Sequence, residues 1–215
     1  MHQLKVDNLL EVLQEANLKL DYQFRVEVHA QYIREKEQNL LRDVLDLLGG
    51  KGDVPILDTL KFDFKIGRQV FVYDDEAHFN RYRLNTFKSD IYNIFSFPWV
   101  EAYKRLCRNH EKDCLKTGMQ ERLWNGPPIA AKVFGKSEDP GDLSGNGSAG
   151  WKLNAYNDVQ YDLVSRLHGF KLVRIPVYEN IMIGGSLKKI DDLLLHPKEE
   201  YRTGIRNWFI RKVQQ

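Results

Sequence analysis

The sequence predicts an α/β fold in which helices flank a mixed sheet, and three features support this prediction. Leu60, Phe62 and Phe64 alternate with polar residues, Gly67 marks a turn, and residues 70–73 form a short, almost continuous apolar strand, as expected of a β-hairpin. Residues 151–168 place apolar side chains at helical intervals, and Gly169 ends that helix. Residues 170–177 follow directly and form the most strand-like segment of the chain. Two strands, a helix and another strand in this order are typical of an α/β protein.

The segment before the hairpin is predicted to be helical. Apolar residues recur at helical spacing over residues 4–20 and again, more strongly, over residues 28–48. The pair Gly49-Gly50 ends the second helix. We therefore treat residues 1–50 as a helical N-terminal part.

The remaining segments complete a single predicted domain. Residues 79–116 are predicted to be mainly helical, and two closing helices are expected over residues 186–195 and 199–213. A chain of 215 residues is expected to form one domain with one sizeable core. That domain covers residues 1–215, with the helical part at 1–50, a core at 55–180 and closing helices at 186–215.

A Gly-rich segment covers residues 127–150, and a loop of this length inside a compact domain is usually functional or mobile. Its Gly135-Lys136-Ser137 sequence lacks the glycine five residues earlier that a phosphate-binding P-loop requires, and we expect no helix directly after it. We therefore exclude a P-loop nucleoside triphosphatase.

Carboxylates accompany the hairpin. Asp63 interrupts the alternating strand, and Asp74, Asp75 and Glu76 follow the apolar strand after the turn. Unpaired carboxylates are costly on buried strands, whereas a divalent cation compensates their desolvation. The hairpin therefore indicates a cation site. A plainer interpretation stays open, in which Asp63 faces solvent and the acidic cluster caps a following helix.

Charge is balanced over the chain, with 32 basic and 30 acidic residues and a formal net charge of +2. A role with nucleic acid must therefore depend on local basic patches. Arg81, Arg83 and Lys88 form such a patch directly after the acidic cluster. Taken singly, each of these residues is also typical of a solvated helix face.

The two cysteines, Cys107 and Cys114, lie seven residues apart on one predicted helix, which is too far for a disulfide within that helix. We expect free thiols in a reducing compartment. The first residues lack the apolar run of a signal peptide, and no stretch approaches the ~18 apolar residues of a membrane span. These observations predict a cytoplasmic protein without a membrane partner.

The hairpin and the segments after it resemble a known superfamily. Asp63-Phe64 before the turn and Val72 to Phe79 after it are similar to the central hairpin of the PD-(D/E)XK nucleases, in particular the branch related to very-short-patch-repair and homing-type endonucleases. The chain also resembles a bacterial family of uncharacterised function with an Asp-Glu-x-His-Phe-Asn-Arg-Tyr-Arg motif. The stretches that match this family are residues 75–83, Phe134-Gly135, residues 141–148 and Trp151-Lys152. The resemblance covers about residues 55–180.

This resemblance implies a restriction-endonuclease-like central mixed sheet and metal-dependent hydrolysis of phosphodiester bonds in DNA. It implies Mg²⁺ or Mn²⁺ as the cofactor, with Asp63 as the first ligand, Asp74 as the second and Glu76 as a further one. His78 would transfer a proton or contact a phosphate, and Lys152 would assist at the same centre. The implied contacts to DNA are Arg81, Arg83, Lys88 and Lys152. A homodimer is a further option, since many nucleases that cut both strands are dimers.

One departure from the pattern matters. Where many of these nucleases carry a metal-binding Glu, this chain has Val72, and the lysine of the motif is missing from the strand. Either Asp74 and Glu76 substitute, with Lys65 or Lys152 reaching in, or the centre is degenerate. In the second case, the chain binds nucleic acid or a partner without cleaving it.

Two aspartates on the later helix are a further candidate pair. Asp158 and Asp162 lie one turn apart and share a helix face, whereas Gln160 points elsewhere. Polar residues at this place support the metal site in related nucleases. Exposure to solvent is the ordinary explanation for each, and we expect it here.

Overall fold

The computed structural model describes residues 1–16 and 18–214, which form a mixed α/β structure. Contacts divide the chain into two compact units. Unit 1 comprises Met1–Arg25, Lys61–Asp75 and Phe170–Gln215, and unit 2 comprises Val26–Leu60 and Glu76–Gly169.

The described residues form the following elements. The helices are α1 (His2–Gln14), α2 (Glu35–Leu47), α3 (Arg81–Thr86), α4 (Ile91–Ile94), α5 (Val100–Gly118), α6 (Glu121–Asn125), α7 (Pro128–Phe134), α8 (Ala149–Leu167), α9 (Ile190–Leu195) and α10 (Glu199–Gln214). The strands are β1 (Leu20–Tyr22), β2 (Arg25–Glu27), β3 (Thr59–Lys61), β4 (Phe64–Ile66), β5 (Gln69–Asp74), β6 (Lys171–Pro176), β7 (Asn180–Ile183) and β8 (Ser186–Lys189). Single 3-10 turns cover Ala30–Tyr32 and Glu76–His78.

Unit 1 is built on a four-stranded mixed sheet in the order β1-β4-β5-β6. Strand β4 runs antiparallel to both β1 and β5, and β5 runs parallel to β6. The hairpin register places Phe64 opposite Phe71, and the parallel register places Val72 opposite Arg174. The predicted mixed sheet is therefore confirmed, and the turn at Gly67 joins its two central strands.

Aromatic packing fills the core of unit 1. The rings of Phe64 and Phe71 stack with centroids 4.6 Å apart, and Phe209 of α10 lies 5.2 Å from Phe71. Helix α1 packs against α9 and α10 and buries Leu9 and Leu13. Each such side chain contributes about 1.5–3 kcal/mol through burial, which explains why a short sheet is stable here.

Three predictions that involve unit 1 are wrong in part. The first helix, predicted to extend to residue 20, ends at Gln14, and residues 20–22 form strand β1 because their backbone groups pair with β4. Residues 186–189 form β8 rather than the start of a helix, since they pair with β7 across Gly184-Gly185. The predicted strand around Phe62 is split into β3 and β4. Helical spacing of apolar residues did not reveal these pairings, of which β1 with β4 is distant in the sequence and β7 with β8 is a local hairpin.

Unit 2 is mainly helical, and α8 lies at its centre. Helix α8 packs against α2, α3, α6 and α7, and buries Tyr156, Val159 and Leu163 against the apolar face of α2. Ser148 caps its N-terminus by accepting a hydrogen bond from Trp151 N at 3.0 Å. The same hydroxyl donates to the backbone oxygen of Trp124 at 2.6 Å, which fixes α8 to the end of α6.

The helical predictions for unit 2 hold with three adjustments. The helix predicted over residues 28–48 is restricted to α2, Glu35–Leu47, and Ala30–Tyr32 form a separate 3-10 turn. Residues 79–116 divide into α3, α4 and α5, and α5 carries Cys107 and Cys114, which are buried thiols as expected. Residues 128–134 of the predicted loop form helix α7, which Pro128 starts without losing a backbone hydrogen bond. Among the described residues, no helix combines the length and the apolar character that a membrane crossing needs.

A substitution at Gly150 tests the close approach of α8 to α6. A Cβ atom at Gly150 would clash with the backbone oxygen of Leu123 and lie 2.7 Å from the backbone nitrogen of Gly126. Because backbone atoms cannot move away cheaply, we expect Gly150→Ala to lower the free energy of unfolding by about 3 kcal/mol in urea denaturation. Gly67→Ala is the control. Gly67 has a φ of 56° and open space around it, so only backbone strain of about 1–2 kcal/mol opposes that change. Equal losses in the two variants would contradict this account.

Candidate functional site

A histidine–aspartate pair in unit 2 is the most distinctive polar arrangement among the predicted site residues. His78 ends the 3-10 turn Glu76–His78, and its Nδ1 lies 2.9 Å from Oδ2 of Asp158 on α8. The carboxylate of Asp158 is buried, whereas the imidazole of His78 keeps 29% of its surface exposed. A buried carboxylate that holds one ring nitrogen fixes the orientation of the imidazole. His78, held by Asp158, can therefore act as a general base, as a contact to a phosphate or as a cation ligand.

A buried arginine secures this pair from behind. Nη2 of Arg83 donates to Oδ2 of Asp162 at 2.7 Å, and its Nε lies 3.7 Å from Oδ2 of Asp158. Tyr92 donates to the same oxygen of Asp162 at 2.6 Å. The guanidinium carbon lies 4.4 Å from the ring centroid of Phe87. The network therefore fixes the helix face that presents Asp158.

Local sequence explains why Arg83 lies there. Asn80 caps α3 by accepting hydrogen bonds from the backbone nitrogens of Tyr82 and Arg83. Asp158 and Asp162 are one helical turn apart on α8, so one guanidinium can approach both. Our expectation that these two aspartates are exposed is wrong, because the packing of α3 on α8 buries both. The prediction that they share a face is confirmed.

Asp63 in unit 1 uses both carboxylate oxygens. Oδ1 lies 2.9 Å from Nε2 of His2, and Oδ2 accepts a hydrogen bond from the backbone nitrogen of Tyr73 at 2.7 Å. The side chain is 18% exposed, so the alternative of a freely solvated carboxylate does not hold. Close by, the hydroxyl of Tyr73 donates to Asp191 at 2.7 Å, and Lys5 forms an ion pair with the same aspartate.

Asp74 in unit 1 is fully buried at the end of β5. Both of its carboxylate oxygens accept hydrogen bonds from Nη1 of Arg174, each at 2.9 Å. Arg174 belongs to β6, where the parallel register places it opposite Val72. The guanidinium of Arg174 compensates the negative charge of Asp74. A metal cation bound at that carboxylate would have to share the carboxylate with Arg174.

The other predicted site residues differ in their surroundings. Glu76 is half-buried in the 3-10 turn, and Lys88 is exposed. Arg81 donates through Nε and Nη2 to Glu111 at 2.8 and 2.9 Å, and this ion pair lowers the pKa of Glu111. Arg83 is 1% exposed, so its guanidinium does not reach a nucleic-acid backbone and we assign it a structural role.

Lys152 lies in the first turn of α8 and lines a cleft of unit 2. The cleft has a volume of about 430 Å³ and is lined by Leu47, Leu48, Gly49, Arg81, Tyr82, Asn85, Leu143, Gly145, Asn146 and Lys152. Nζ of Lys152 donates to Oδ1 of Asn146 at 2.7 Å. Lys152 as a whole residue is 8% exposed to solvent. Burial lowers the pKa of Lys152 below that of an ordinary lysine.

The Gly-rich segment holds Asn146 in place. Nδ2 of Asn146 donates to the backbone oxygens of Phe134 and Lys136 at 2.9 and 2.7 Å, so its Oδ1 must point away from them. Gly147 has a φ of 61°, and a Cβ atom there would clash with the hydroxyl of Tyr82. That hydroxyl accepts a hydrogen bond from Ser148 N at 3.1 Å. The segment that the sequence predicts to be functional or mobile is therefore tied down beside Lys152.

Several residues of these arrangements were not among the predicted site residues. Tyr92 and Arg174 acquire their roles through partners far away in the sequence, and Asn146 through Lys152, six residues later. The spacing of Asp158 and Asp162 was the one available signal, and by itself it favoured a solvated helix face.

Comparison with known proteins gives one match. A family model described as a family of unknown function, DUF7255, matches residues 43–196. Neither a curated protein nor a solved structure matches the chain. The matched range includes β5, the 3-10 turn, α8 and β6, and so contains every site residue discussed above except His2 and Lys5.

The buried arginine gives a stability prediction. Arg83→Met leaves Asp162 buried beside an apolar side chain, and we expect it to lower the free energy of unfolding by about 3–5 kcal/mol. Arg81→Met, two residues earlier on α3, removes an exposed ion pair and should cost less than about 1 kcal/mol. Urea denaturation of both variants measures the difference. Similar losses would show that Arg83 does not secure the two helices.

The buried lysine gives a pH prediction. The fold disfavours the charged form of Lys152, so this destabilisation is fully present below its lowered pKa and disappears above the pKa of an unfolded lysine. We expect Lys152→Met to raise the free energy of unfolding at pH 7 by up to about 1 kcal/mol. This gain should shrink as the pH rises toward that of free lysine, in urea titrations of both proteins. A variant that is less stable than the wild type at every pH would contradict the prediction.

Proposed function

The chain belongs to DUF7255, a family of unknown function, and from its own residues we propose a metal-dependent endonuclease that hydrolyses phosphodiester bonds in DNA. The observation that carries the proposal is the pairing of His78 with the buried carboxylate of Asp158 at 2.9 Å. An imidazole oriented in this way is the kind of group that accepts a proton from water or contacts a phosphate.

The sheet of unit 1 supports the same proposal. Other elements intervene, but the order along the chain is one helix, three strands, one helix and one strand, namely α1, β1, β4, β5, α8 and β6. The first three strands form an antiparallel meander, and the last one joins it in parallel. This arrangement is compatible with the restriction-endonuclease-like fold that the sequence resembles. Asp63 precedes the central hairpin strand and Asp74 ends the next one.

The proposed cofactor is Mg²⁺ or Mn²⁺, and the donor types present suit a hard divalent cation. We propose Asp63, Asp74 and Glu76 as ligand candidates, and oxygen ligands of this kind are those that Mg²⁺ prefers. When bound, such an ion makes a water molecule more acidic and neutralises charge on a phosphate. In this proposal, His78 handles the proton, and Asp158 keeps its imidazole in the required orientation.

A second candidate function is binding of nucleic acid without cleavage. The specific observation in its favour is that Arg174 already compensates the carboxylate of Asp74, in a strand where Val72 replaces the usual Glu. Asp63 likewise has hydrogen-bond partners on both oxygens. If hydrogen bonds and ion pairs within the protein already compensate the carboxylates of Asp63 and Asp74, these residues would stabilise the fold without a metal ion.

A cleavage assay separates the two candidates. Purified protein is incubated with supercoiled and linear DNA in Mg²⁺ or Mn²⁺, with EDTA as the metal-free arm. We expect His78→Gln to reduce cleavage by about 100-fold or more, the scale of losing a positioned acid or base. His110→Gln is the matched control, because His110 forms a surface pair with Asp113 at 3.1 Å.

The outcomes are distinct. Cleavage that requires metal and is lost in His78→Gln but not in His110→Gln supports the endonuclease. DNA binding without cleavage would select the second candidate, and the absence of both would overturn the two proposals together. An Asp63→Ala variant then tests the first proposed ligand, with circular dichroism to confirm that the protein remains folded.

A further inference from the structure

We infer that the cleft beside Lys152 binds the phosphate group of a nucleotide. The starting point is the charge of Lys152, whose residue is 8% exposed. Its Nζ donates to a neutral oxygen, Oδ1 of Asn146, and no carboxylate of residues 1–16 or 18–214 forms an ion pair with it. A buried ammonium without an acidic partner is costly, and a protein that keeps one gains most when an anion binds.

The surroundings of Lys152 leave it as the cation available to a ligand. Arg81 also lines the cleft, but its guanidinium donates through Nε and Nη2 to Glu111, whose carboxylate compensates its charge. The ring of Tyr82 lies 5.7 Å from Nζ of Lys152 and forms an apolar wall beside it. An anion in the cleft would therefore meet one ammonium and not a cluster of competing acids.

The amides of the cleft are oriented by the protein. Asn146 is fixed through the backbone oxygens of Phe134 and Lys136, and Asn85 donates to the backbone oxygen of Leu47 at 2.6 Å. Because these amides are held by backbone oxygens of the protein itself, the site is largely preformed. A preformed site pays little ordering entropy on binding.

Size and lining point to a nucleotide in preference to a bare phosphate. A volume of about 430 Å³ lies in the range of small-molecule sites and exceeds what a single phosphate ion fills. Leu47, Leu48 and Leu143 supply apolar surface on which a sugar or base can rest. The ligand can be a free nucleotide or one nucleotide of a single strand, since both offer the same phosphate chemistry.

This inference deepens the proposed function, and in its strand form it rests on that function. The cleft would then hold one nucleotide of the DNA that the endonuclease acts on. The phosphate contact to Lys152 would position the strand and carry no sequence information.

Binding is measured in EDTA, so that no metal-dependent step contributes. The three probes are inorganic phosphate, deoxyadenosine 5′-monophosphate and a single-stranded deoxyadenosine decamer. Isothermal titration calorimetry measures the affinity of the protein for each probe. We expect the nucleotide or the decamer to bind the wild type more tightly than phosphate does. Lys152→Met should weaken that binding about tenfold or more, the scale of losing a hydrogen bond to a charged group. Lys132→Met is the control, because Lys132 is exposed on α7 and does not line the cleft.

Every outcome decides something. Tightest binding of the mononucleotide supports a free nucleotide, and tightest binding of the decamer supports a strand. If the nucleotide and the decamer bind no better than phosphate, or if Lys152→Met binds them as the wild type does, the inference is overturned. Urea denaturation of Lys152→Met establishes that any loss is not due to unfolding.

The result is independent of the cleavage assay. Binding in EDTA that depends on Lys152, together with no cleavage in Mg²⁺, would keep the cleft and remove the endonuclease. Cleavage with no binding to the cleft would do the reverse.

Discussion

The guanidinium of Arg83 is the interaction on which unit 2 depends. It lies almost completely out of water between α3 and α8, bonded to Asp162 and close to Asp158. A buried charge of this kind must be compensated, so it fixes how these two helices pack. The orientation of His78 follows from this constraint, because Asp158 can hold the imidazole only while α8 presents that face.

The same helix organises the cleft at its N-terminal end. Ser148 caps α8 and ties it to the backbone of Trp124, and Gly147 allows the preceding chain to pass close to Tyr82. Lys152 follows one turn later and meets the fixed amide of Asn146. One helix thus carries an acidic network along its length and a buried ammonium at its start.

In unit 1, the carboxylates near the central hairpin are compensated by groups of the protein itself. Asp63 directly precedes β4 and Asp74 ends β5, at positions where free carboxylates would be costly. The structure gives each a partner, a backbone nitrogen and His2 for Asp63 and the guanidinium of Arg174 for Asp74. These partners stabilise the sheet. A metal cation would have to compete with them for the same carboxylate oxygens.

The sequence by itself determined the α/β class, the β4–β5 hairpin, the helix–strand pair α8–β6 and the shared face of Asp158 and Asp162. These features depend on local periodicity and on glycines that end elements, which adjacent residues encode. Only the tertiary structure decided that Arg83 is buried, that Lys152 lies beside Asn146, and that β1 and β8 are strands. The burial of Arg83 and the pairing of β1 depend on partners far away in the chain, and such distances leave no local pattern in the residues themselves. Lys152 and Asn146 are only six residues apart and β7 and β8 are adjacent, but their contacts depend on how the backbone turns between them, which the spacing of apolar residues does not encode.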